Sequence, residues 1–575
     1  MEKIKNCLTN NKLSVILFAL LALIMGIFTY SLVVIQSQIG VYYWDIFLYL
    51  NNALKMAGMG VGDTLYLSPF LPFVTSLFFR ADLVYESTLF AISGVFYFLG
   101  TLGLYLLLKL RFNEWESLAG ALSYATFTVV IIWAVSGALD VPAISLSIWA
   151  LYLTMLAVKK DSRFFYLAFP LAMLAFLTRY TSGLILIPML LVIYMNHPSR
   201  PDLKKALKGI VLGAAIYLPF MWYFYRQVGN LFPFFQQFSG SASGAVSSSN
   251  PGYSLDTLYY LKHIPEYISS QAISGYQNML WPSYSDPTLL AYFLLGLLVL
   301  GILIYVFKIL KKLIRGFKSA EGSENNLKNN SDLISTFKSF MQSFYFRLAT
   351  VIILALLLAG TYSQVSYALS EILLVALAIS LYLLLKNLDL KYLDLDILFL
   401  TWFLAFLIMH SAHPVKVDRY FITMAPPLAY GVALGINQIS GLIKYKFKGI
   451  NATSALISLL LVFSIIFSTV SYMDSIPNSD PQVKSEQAAA EWLMNYDPQY
   501  MEKVIAADRG PAFSWYLKKY VFTRIPLKVT PQVFKELITE INPDYYIYVQ
   551  SDTPLNLEGY SVLKNVDGVL IYKKN

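Results

Sequence analysis

Apolar runs close to 20 residues long recur along this chain, and they constrain its fold more than any other feature. A helix that crosses the hydrocarbon core of a bilayer needs about 20 mostly apolar residues. Of the 575 residues, 57% are hydrophobic and 13% are charged, whereas soluble domains are about half apolar and about a quarter charged. The sequence therefore predicts an all-α polytopic membrane protein.

Thirteen segments are predicted to cross the membrane. They lie at 13–35, 84–108, 117–135, 142–158, 164–177, 180–195, 207–225, 288–307, 348–359, 372–385, 397–409, 420–436 and 453–470. The first run is too long for the core of a signal peptide, and no small-residue cleavage site follows it. We expect it to be retained as the first span.

The basic residues orient the predicted spans. With the N-terminus in the cytoplasm, the inner loops hold 25 Lys and Arg residues and the outer loops hold seven. Such an excess is typical of cytoplasmic loops. The net charge of +9 therefore reflects membrane orientation and does not indicate nucleic-acid binding. We predict a multi-pass protein of the plasma membrane with a cytoplasmic N-terminus and an extracytoplasmic C-terminal end.

Residues 1–474 form the predicted membrane domain, which contains three long connections. The first outer loop, 36–83, holds the stretches WDIFLYLNNALKMAG and LYLSPFLPFVTSLFF, which we interpret as two interfacial helices. The outer loop 226–287 contains SGSASGAVSSSNPG and is predicted to be mobile. The inner segment 308–347 contains SAEGSENNLKNNSD and is predicted to be a disordered linker.

Residues 475–575 differ in character from the rest of the chain. QAAAEWLMNY, PAFSWYLKK and QVFKELITEI are predicted helices, and VIAA and DYYIYVQ are predicted strands. YSVLKNVDGVLIYKK predicts a hairpin with Asp567 and Gly568 at its turn. We therefore expect a small extracytoplasmic α/β domain.

Two aspartates near the predicted outer face are candidates for catalysis. Asp45 follows Tyr42, Tyr43 and Trp44 just after the first span, and Asp140 lies in the short turn SGALDVP between the third and fourth spans. A lone loop aspartate is usually just solvated, and Asp140 could simply cap a helix. The topology nevertheless brings both carboxylates to the same membrane face, which neither simple explanation predicts.

Four cationic or titratable residues at the same face are candidates for binding a phosphate. His413, Lys416 and Arg419 lie in one short outer loop, and Arg179 lies between the fifth and sixth spans as a weaker candidate. A guanidinium group binds phosphate oxygens in a bidentate way. Alternatively, Arg419 extends its charged end to the membrane surface or pairs with the adjacent Asp418.

The sequence indicates no cofactor. Cys7 is the only cysteine, and the four histidines are scattered apart from His410 and His413. No cysteine cluster exists to bind zinc, and this histidine pattern does not predict a metal site. A divalent cation remains compatible with the sequence, but no residue pattern indicates one.

The placement of these residues resembles the GT-C glycosyltransferases. Asp45, Asp140 and the outer pair formed by Arg419 and Tyr420 are most similar to the dolichyl-phosphate-mannose protein mannosyltransferase and aminoarabinose transferase group. AFLTRYTSGLILIPMLL is similar to that group's central motif, and AAAEWLMNYDPQYMEKVIAADRG with INPDYYIYVQ resembles the outer domain of its prokaryotic members. Two features depart from the pattern: Ile46 follows Asp45 where many members have Glu, and the WWDYG motif of oligosaccharyltransferases is absent.

The resemblance implies transfer of a sugar from a polyprenyl-phosphate donor to an acceptor hydroxyl at the outer face, with inversion. The acceptor would be a protein, a lipid or a glycan, as in protein glycosylation or cell-envelope assembly. Asp45 would act as the base, Asp140 would orient the acceptor or the base, and Arg419 with Lys416 would hold the lipid phosphate.

Two other function classes stay open at this point. A transporter or flippase of polyprenyl-linked glycans would be expected to carry ionisable groups or broken helices at mid-bilayer depth. The predicted spans are nearly free of charge at their centres, which favours an interfacial enzyme. A non-catalytic envelope assembly protein would not need Asp45.

Overall fold

The chain folds mainly into α-helices. The computed structural model describes residues 12–235, 253–268, 273–274, 283–284, 286–324, 344–362, 364–388, 390–443, 445–447, 450–549 and 554–575. The helices are α1 Lys12–Ile39, α2 Trp44–Ala57, α3 Phe70–Phe79, α4 Glu86–Leu108, α5 Glu114–Thr126, α6 Thr128–Ile131, α7 Asp140–Lys159, α8 Phe165–Thr178, α9 Leu186–Met195, α10 Arg200–Val228, α11 Tyr259–Lys262, α12 Ile264–Tyr267, α13 Leu289–Glu324, α14 Phe344–Thr361, α15 Tyr367–Leu385, α16 Leu393–Ala412, α17 Ala425–Ser440, α18 Ala452–Ser475, α19 Pro481–Tyr496, α20 Gly510–Leu517 and α21 Pro531–Ile541. Two 3₁₀ segments, Tyr180–Ile185 and Asp418–Met424, also contribute to the site.

The strands are short. They are β1 Ile273–Ser274, β2 Ser283–Tyr284, β3 Lys446–Phe447, β4 Ile450–Asn451, β5 Ile505–Ala507, β6 Phe522–Thr523, β7 Tyr545–Tyr548, β8 Tyr560–Val566 and β9 Val569–Lys574. The first four form two separate two-stranded hairpins, and the last five form one sheet. The predicted mobile stretch 239–252 and part of the predicted linker, 325–343, lie outside the described residues.

Long apolar helices confirm the predicted membrane fold. Within the described residues, nine helical segments are long and apolar enough to cross a bilayer by length and composition: Lys12–Ile39, Glu86–Leu108, Asp140–Lys159, Arg200–Val228, Leu289–Ile314, Phe344–Thr361, Tyr367–Leu388, Leu393–Ala412 and Ala452–Ser475. Each of the other four predicted spans contains a shorter helix, namely α5, α8, α9 or α17. The number of thirteen spans therefore stays a prediction.

Two predicted segments differ in kind from the structure. The predicted span 117–135 is not one helix, because α5 ends at Thr126 and Phe127, with a ψ of 134°, leaves the helical conformation before the short α6. The residues that follow are buried inside the protein, and an apolar run looks the same in sequence whether it faces lipid or protein. The predicted linker from 308 is helical as far as Glu324, since its Lys, Arg, Leu and Glu residues are good helix formers.

The membrane domain is built from helices that pack in pairs. Helix α1 packs on α4, α4 on α7, α7 on α8 and α8 on α10, while α13 packs on α17. The α13–α17 crossing depends on two glycines: a Cβ on Gly301 would overlap the backbone of Gly435, and a Cβ on Gly435 would overlap the Leu297 carbonyl. Small residues at such crossings let helix backbones approach closely.

The two helices predicted in the first outer loop are present as α2 and α3, and they pack against each other. Helix α2 begins directly after an extended stretch that ends at Tyr43, and it stops at Gly58, whose φ of 92° closes the helix. Its first turn contains Asp45. The position of both helices relative to a bilayer stays a prediction.

The C-terminal segment forms the small α/β domain that the sequence predicts. Its sheet has the order β6-β5-β7-β9-β8, in which β5 is parallel to β6 and β7, and β9 is antiparallel to β7 and β8. The predicted hairpin turn is confirmed, since Asp567 and Gly568 have φ values of 48° and 92°. Helices α19 and α20 pack together beside the sheet, and α20 also packs on α2 of the membrane domain.

Candidate active site

Asp45 and Arg419 meet at one end of the helix bundle. Asp45 lies in the first turn of α2, and Arg419 lies in the 3₁₀ segment between α16 and α17. Arg419 Nη2 donates a hydrogen bond to Asp45 Oδ2 across 2.7 Å. The Asp45 side chain is 30% exposed and that of Arg419 is 11% exposed, so water or a substrate can reach the carboxylate more easily than the guanidinium.

Aromatic rings surround the Arg419 guanidinium. Its Cζ lies 5.1 Å from the ring centroid of Tyr43 and 5.6 Å from that of Trp133, and these two rings pack edge to face at 5.1 Å. A cation over an aromatic face is attracted by the ring quadrupole, more strongly when water is excluded. The rings therefore help to fix the position of the arginine, whose Nη2 is engaged by Asp45.

Asp140 and Arg179 form a second ion pair at the same end of the bundle. Asp140 is the first residue of α7 and is almost fully buried, and Arg179 directly follows α8. The Arg179 Nε also donates to Thr181 Oγ1 at 3.1 Å. The helix-cap interpretation of Asp140 is wrong, because Leu139 is the N-cap and no side chain caps this helix. The Asp140 carboxylate instead pairs with Arg179, the weaker phosphate-binding candidate in the sequence.

Tyr420 connects the two ion pairs. The Cζ of Arg179 lies 5.0 Å from the Tyr420 ring centroid, and that of Arg419 lies 6.0 Å from it. Charges from both pairs also act on Tyr43. Burial raises the pKa of Tyr43, Arg419 opposes this effect, and the charges of Asp45 and Asp140 both add to it. The four charged side chains therefore form one site rather than two separate salt bridges.

Lys416 and His413 shape the loop that carries Arg419. Lys416 is almost fully buried, and its Nζ donates to the backbone carbonyls of Ser411 and His413 at 2.6 Å each and of His410 at 3.4 Å. Burial lowers the pKa of Lys416 to about 8, although Asp256 partly opposes the shift. The His413 ring accepts a hydrogen bond from the Val415 backbone N–H at 3.1 Å.

The alternative partner for Arg419, Asp418, is engaged elsewhere. Tyr259 and Tyr267, on α11 and α12, donate hydrogen bonds to Asp418 Oδ1 at 2.8 Å and 2.6 Å. Burial raises the pKa of Asp418, and the two tyrosine hydroxyls oppose that rise. This contact ties α11 and α12 to the segment that presents Arg419. The suggested Asp418–Arg419 salt bridge is wrong, because Arg419 pairs with Asp45 instead.

Sequence reasoning gave no role in the site to three aromatic residues. Tyr43 and Tyr420 lie beside or near the candidate charges in the sequence, and this proximity was a usable signal. Trp133 offered none, because it lies in an apolar stretch that resembles a membrane span. Only Tyr43 was expected at the membrane interface, whereas Tyr420 entered the sequence analysis as part of the resemblance.

A contrasting ion pair lies at the opposite end of the bundle. Arg111, after the end of α4, pairs with Asp396 at the start of α16. Tyr305 and Tyr430 donate hydrogen bonds to the Asp396 carboxylate at 2.6 Å and 2.5 Å. This carboxylate is surrounded by protein donors, whereas Asp45 is partly open to solvent. In the described part of the chain, no three His, Cys, Asp or Glu side chains come together in a way that could hold a metal ion.

Comparisons with known proteins show which fold this chain has. The profile of a family described as dolichyl-phosphate-mannose-protein mannosyltransferase matches residues 67–224. The structure is similar to ArnT from Cupriavidus metallidurans bound to undecaprenyl phosphate, with a TM-score of 0.53, 12% identity and 97% of each chain covered. The fold is that of ArnT.

Two further solved structures are also similar to this chain. The ArnT structure in the apo state matches with the same TM-score of 0.53, at 11% identity and with 97% of each chain covered. An oligosaccharyltransferase from Archaeoglobus fulgidus, in a complex with zinc and sulfate, has a TM-score of 0.43, 14% identity and coverage of 91% of this chain and 67% of that one. No curated protein sequence matches the chain. The ArnT-like fold and the family profile together confirm the resemblance to the GT-C superfamily.

Proposed function

We propose that this protein transfers a sugar from a polyprenyl-phosphate donor to an acceptor hydroxyl at the outer face of the membrane. The observation that carries the proposal is the joining of the Asp45–Arg419 and Asp140–Arg179 pairs through Tyr420. Such a site offers both a base and cations for a phosphate. The ArnT structure with this fold was solved with undecaprenyl phosphate, which supports a lipid phosphate as the ligand.

In the proposed reaction, the acceptor oxygen attacks the anomeric carbon as the bond from that carbon to the phosphate oxygen breaks. The acceptor proton passes to Asp45, and the lipid phosphate leaves with the bonding electrons. A single displacement of this kind inverts the anomeric centre. General bases contribute about 10²–10⁴-fold to such rates.

Arg419 would exchange partners as the donor binds. Its Nη2 is bonded to Asp45, and its buried Nε has no hydrogen-bond partner among the described residues. A phosphate oxygen near this guanidinium would receive charge-assisted hydrogen bonds, and Asp45 would then be free to accept a proton. Arg179, held by Asp140, would supply the second positive charge. Lys416 would contribute its positive charge without contacting the phosphate, since its ammonium group donates to backbone carbonyls of its own loop.

The decisive assay reconstitutes the protein in proteoliposomes with a panel of radiolabelled polyprenyl-phosphate sugars and with envelope lipid, glycan and protein fractions as acceptors. We expect one donor to lose its sugar to an acceptor, and Asp45→Asn to reduce this transfer by about 10²–10⁴-fold. Asp82→Asn is the matched control, because Asp82 is exposed and has a positive φ that Asn tolerates.

Three results would contradict the proposal. One is transfer by Asp45→Asn at the wild-type rate in a protein of unchanged stability. Another is movement of an intact glycolipid across the bilayer without loss of its sugar, which would identify a flippase. If no donor in the panel is consumed, the proposed activity also fails.

The outer location of the site needs a separate test. Cys7 is the only native cysteine and should lie in the cytoplasm, whereas Leu527 in the C-terminal domain is 70% exposed. In intact cells, a membrane-impermeant maleimide should label Leu527→Cys in a Cys7→Ser background and should not label Cys7 in the native chain. The reverse labelling pattern would place the site on the cytoplasmic side.

A further inference from the structure

The C-terminal domain contacts the segment that presents Asp45 from both sides. Before Asp45, the turn at Gly40 packs on α19 so closely that a Cβ on Gly40 would lie 2.8 Å from Val483 Cγ1. After Asp45, the side chain of Asn51 on α2 donates to the Pro511 carbonyl on α20 at 2.9 Å. The candidate base thus lies on a stretch of chain whose two ends are held by the α/β domain.

A buried ion pair within the domain makes the nearest of these contacts. Arg509 Nη2 donates to the backbone carbonyl of Tyr42 at 3.2 Å, and Arg509 Nε lies 2.5 Å from Glu486 Oε1. The Glu486 side chain is 0% exposed and that of Arg509 is 9% exposed. Tyr42 is followed at once by Tyr43, whose ring packs against the Arg419 guanidinium. The contact therefore acts on the extended residues that lead into the first turn of α2.

Aromatic packing extends the same interface. Trp515 on α20 stacks on Phe79 at 5.8 Å and donates from its indole nitrogen to Glu86 Oε1 at 2.7 Å. Tyr516 packs edge to face on Phe47 at 5.6 Å, two residues beyond Asp45. The domain is thus joined to α2, to the end of α3 and to the start of α4.

The energetics of the Glu486–Arg509 pair point to orientation rather than stability. Removing two charges from water is costly, and replacing a buried ion pair by apolar side chains of similar volume is often neutral or stabilising. A buried ion pair can instead act through the geometry that it imposes. Here that geometry is the direction of the Arg509 guanidinium toward the Tyr42 carbonyl.

We infer that Arg509 and Glu486 are positioning residues for the transfer reaction, and that the C-terminal domain holds Asp45 at the position where it meets Arg419. The inference rests on the proposed function, because it assigns a purpose to the position of the proposed base. Small displacements of a reacting group are expensive, since a shift of about 1 Å can cost about 100-fold in rate.

The test compares full-length variants in proteoliposomes with the donor that the wild-type protein consumes. The double variant Glu486→Leu/Arg509→Met should keep the melting temperature and the KM for the donor, but lower kcat by about 10- to 100-fold. Arg509→Lys keeps a cation near Glu486 and should recover part of the lost kcat. Lys535→Met is the matched control, because Lys535 forms an exposed ion pair with Glu558 in the same domain.

A purely structural role would give a different result: the melting temperature and kcat would fall together, and that result would overturn the inference. A wild-type kcat in the double variant would also overturn the inference. The proposed function would still stand in that case, provided that Asp45→Asn is inactive. An active Asp45→Asn would instead refute the proposed function. If the double variant does not fold, Asn51→Ala takes its place, because it removes one hydrogen bond from the same interface. We then expect a smaller loss of kcat. A wild-type kcat in Asn51→Ala would contradict the inference.

Discussion

Arg419 donates a hydrogen bond to Asp45 across 2.7 Å although the two residues are 374 positions apart in the chain. One is the proposed donor-phosphate ligand and the other is the proposed base. Their pairing means that each can keep the other in place until a substrate separates them. It also makes the exchange of partners at Arg419 the central event of the proposed mechanism.

Arg419→Lys should weaken use of the lipid donor. Lysine keeps the positive charge but lacks the planar fork that matches a phosphate, and a charge-assisted hydrogen bond contributes about 1.5–3 kcal/mol. We expect kcat/KM for the donor to fall by about 10- to 150-fold per bond lost. Arg226→Lys is the matched control, since Arg226 is exposed and lies over Trp222. Wild-type kinetics in both Arg419→Lys and Arg419→Ala would move the phosphate site elsewhere, with Arg179 as the next candidate.

Asp140→Asn should destabilise the protein through Arg179. Loss of one partner from a buried ion pair leaves an unpaired charge and costs about 3–5 kcal/mol, and the Asp140 side chain here is only 1% exposed. We expect a lower melting temperature in detergent for the single variant. The double variant Asp140→Asn/Arg179→Gln should recover much of the loss. Independent, additive effects of the two substitutions would show that the pair does not act as a unit.

Donor affinity should depend on pH through Lys416. Burial lowers the pKa of Lys416 to about 8, so the side chain is charged below that pH and increasingly neutral above it. The KM for the lipid donor should therefore rise as the pH increases through about 8, and Lys416→Met should abolish this change. The phosphodiester of the donor does not titrate in this range. A pH profile that is identical in Lys416→Met would show that another group is responsible.

Gly435→Ala should disrupt the crossing of α13 and α17. The added methyl group would overlap the Leu297 carbonyl, and overpacking of this kind costs about 1–3 kcal/mol. Thermal unfolding in detergent should detect the loss. Gly296→Ala, on α13, is the matched control because nothing lies within 4 Å of the position that its Cβ would occupy. Equal melting temperatures for the two variants would contradict the close approach of the helices.

Local pattern was sufficient for much of the fold. The periodicity around Gln532 to Ile541 and the Asp567–Gly568 turn predicted a helix and a hairpin that the structure contains. These features depend on neighbours in sequence, and so they can be read from sequence. The break at Phe127 could not, because burial in protein and burial in lipid select the same apolar residues.

The pairing of residues in the candidate site could not be predicted from the sequence. The sequence singled out Asp45, Asp140 and Arg419 because charged residues next to apolar runs are conspicuous. Their partners depend on tertiary packing, and the nearest carboxylate in sequence, Asp418, was the wrong partner for Arg419. The contact of Arg509 with the Tyr42 carbonyl spans 467 positions, and nothing in either local sequence indicates it.

The two carboxylates and two guanidiniums joined by Tyr420 carry no net formal charge. In the proposed reaction a glycosyl phosphodiester brings one negative charge, and its cleavage leaves a phosphate monoester with about two. The acceptor proton supplies the compensating positive charge, so the total is unchanged across the chemical step as long as that proton stays on Asp45 or passes to the phosphate. Release of the lipid phosphate, rather than sugar transfer, is then the step at which this end of the bundle must exchange charge with water.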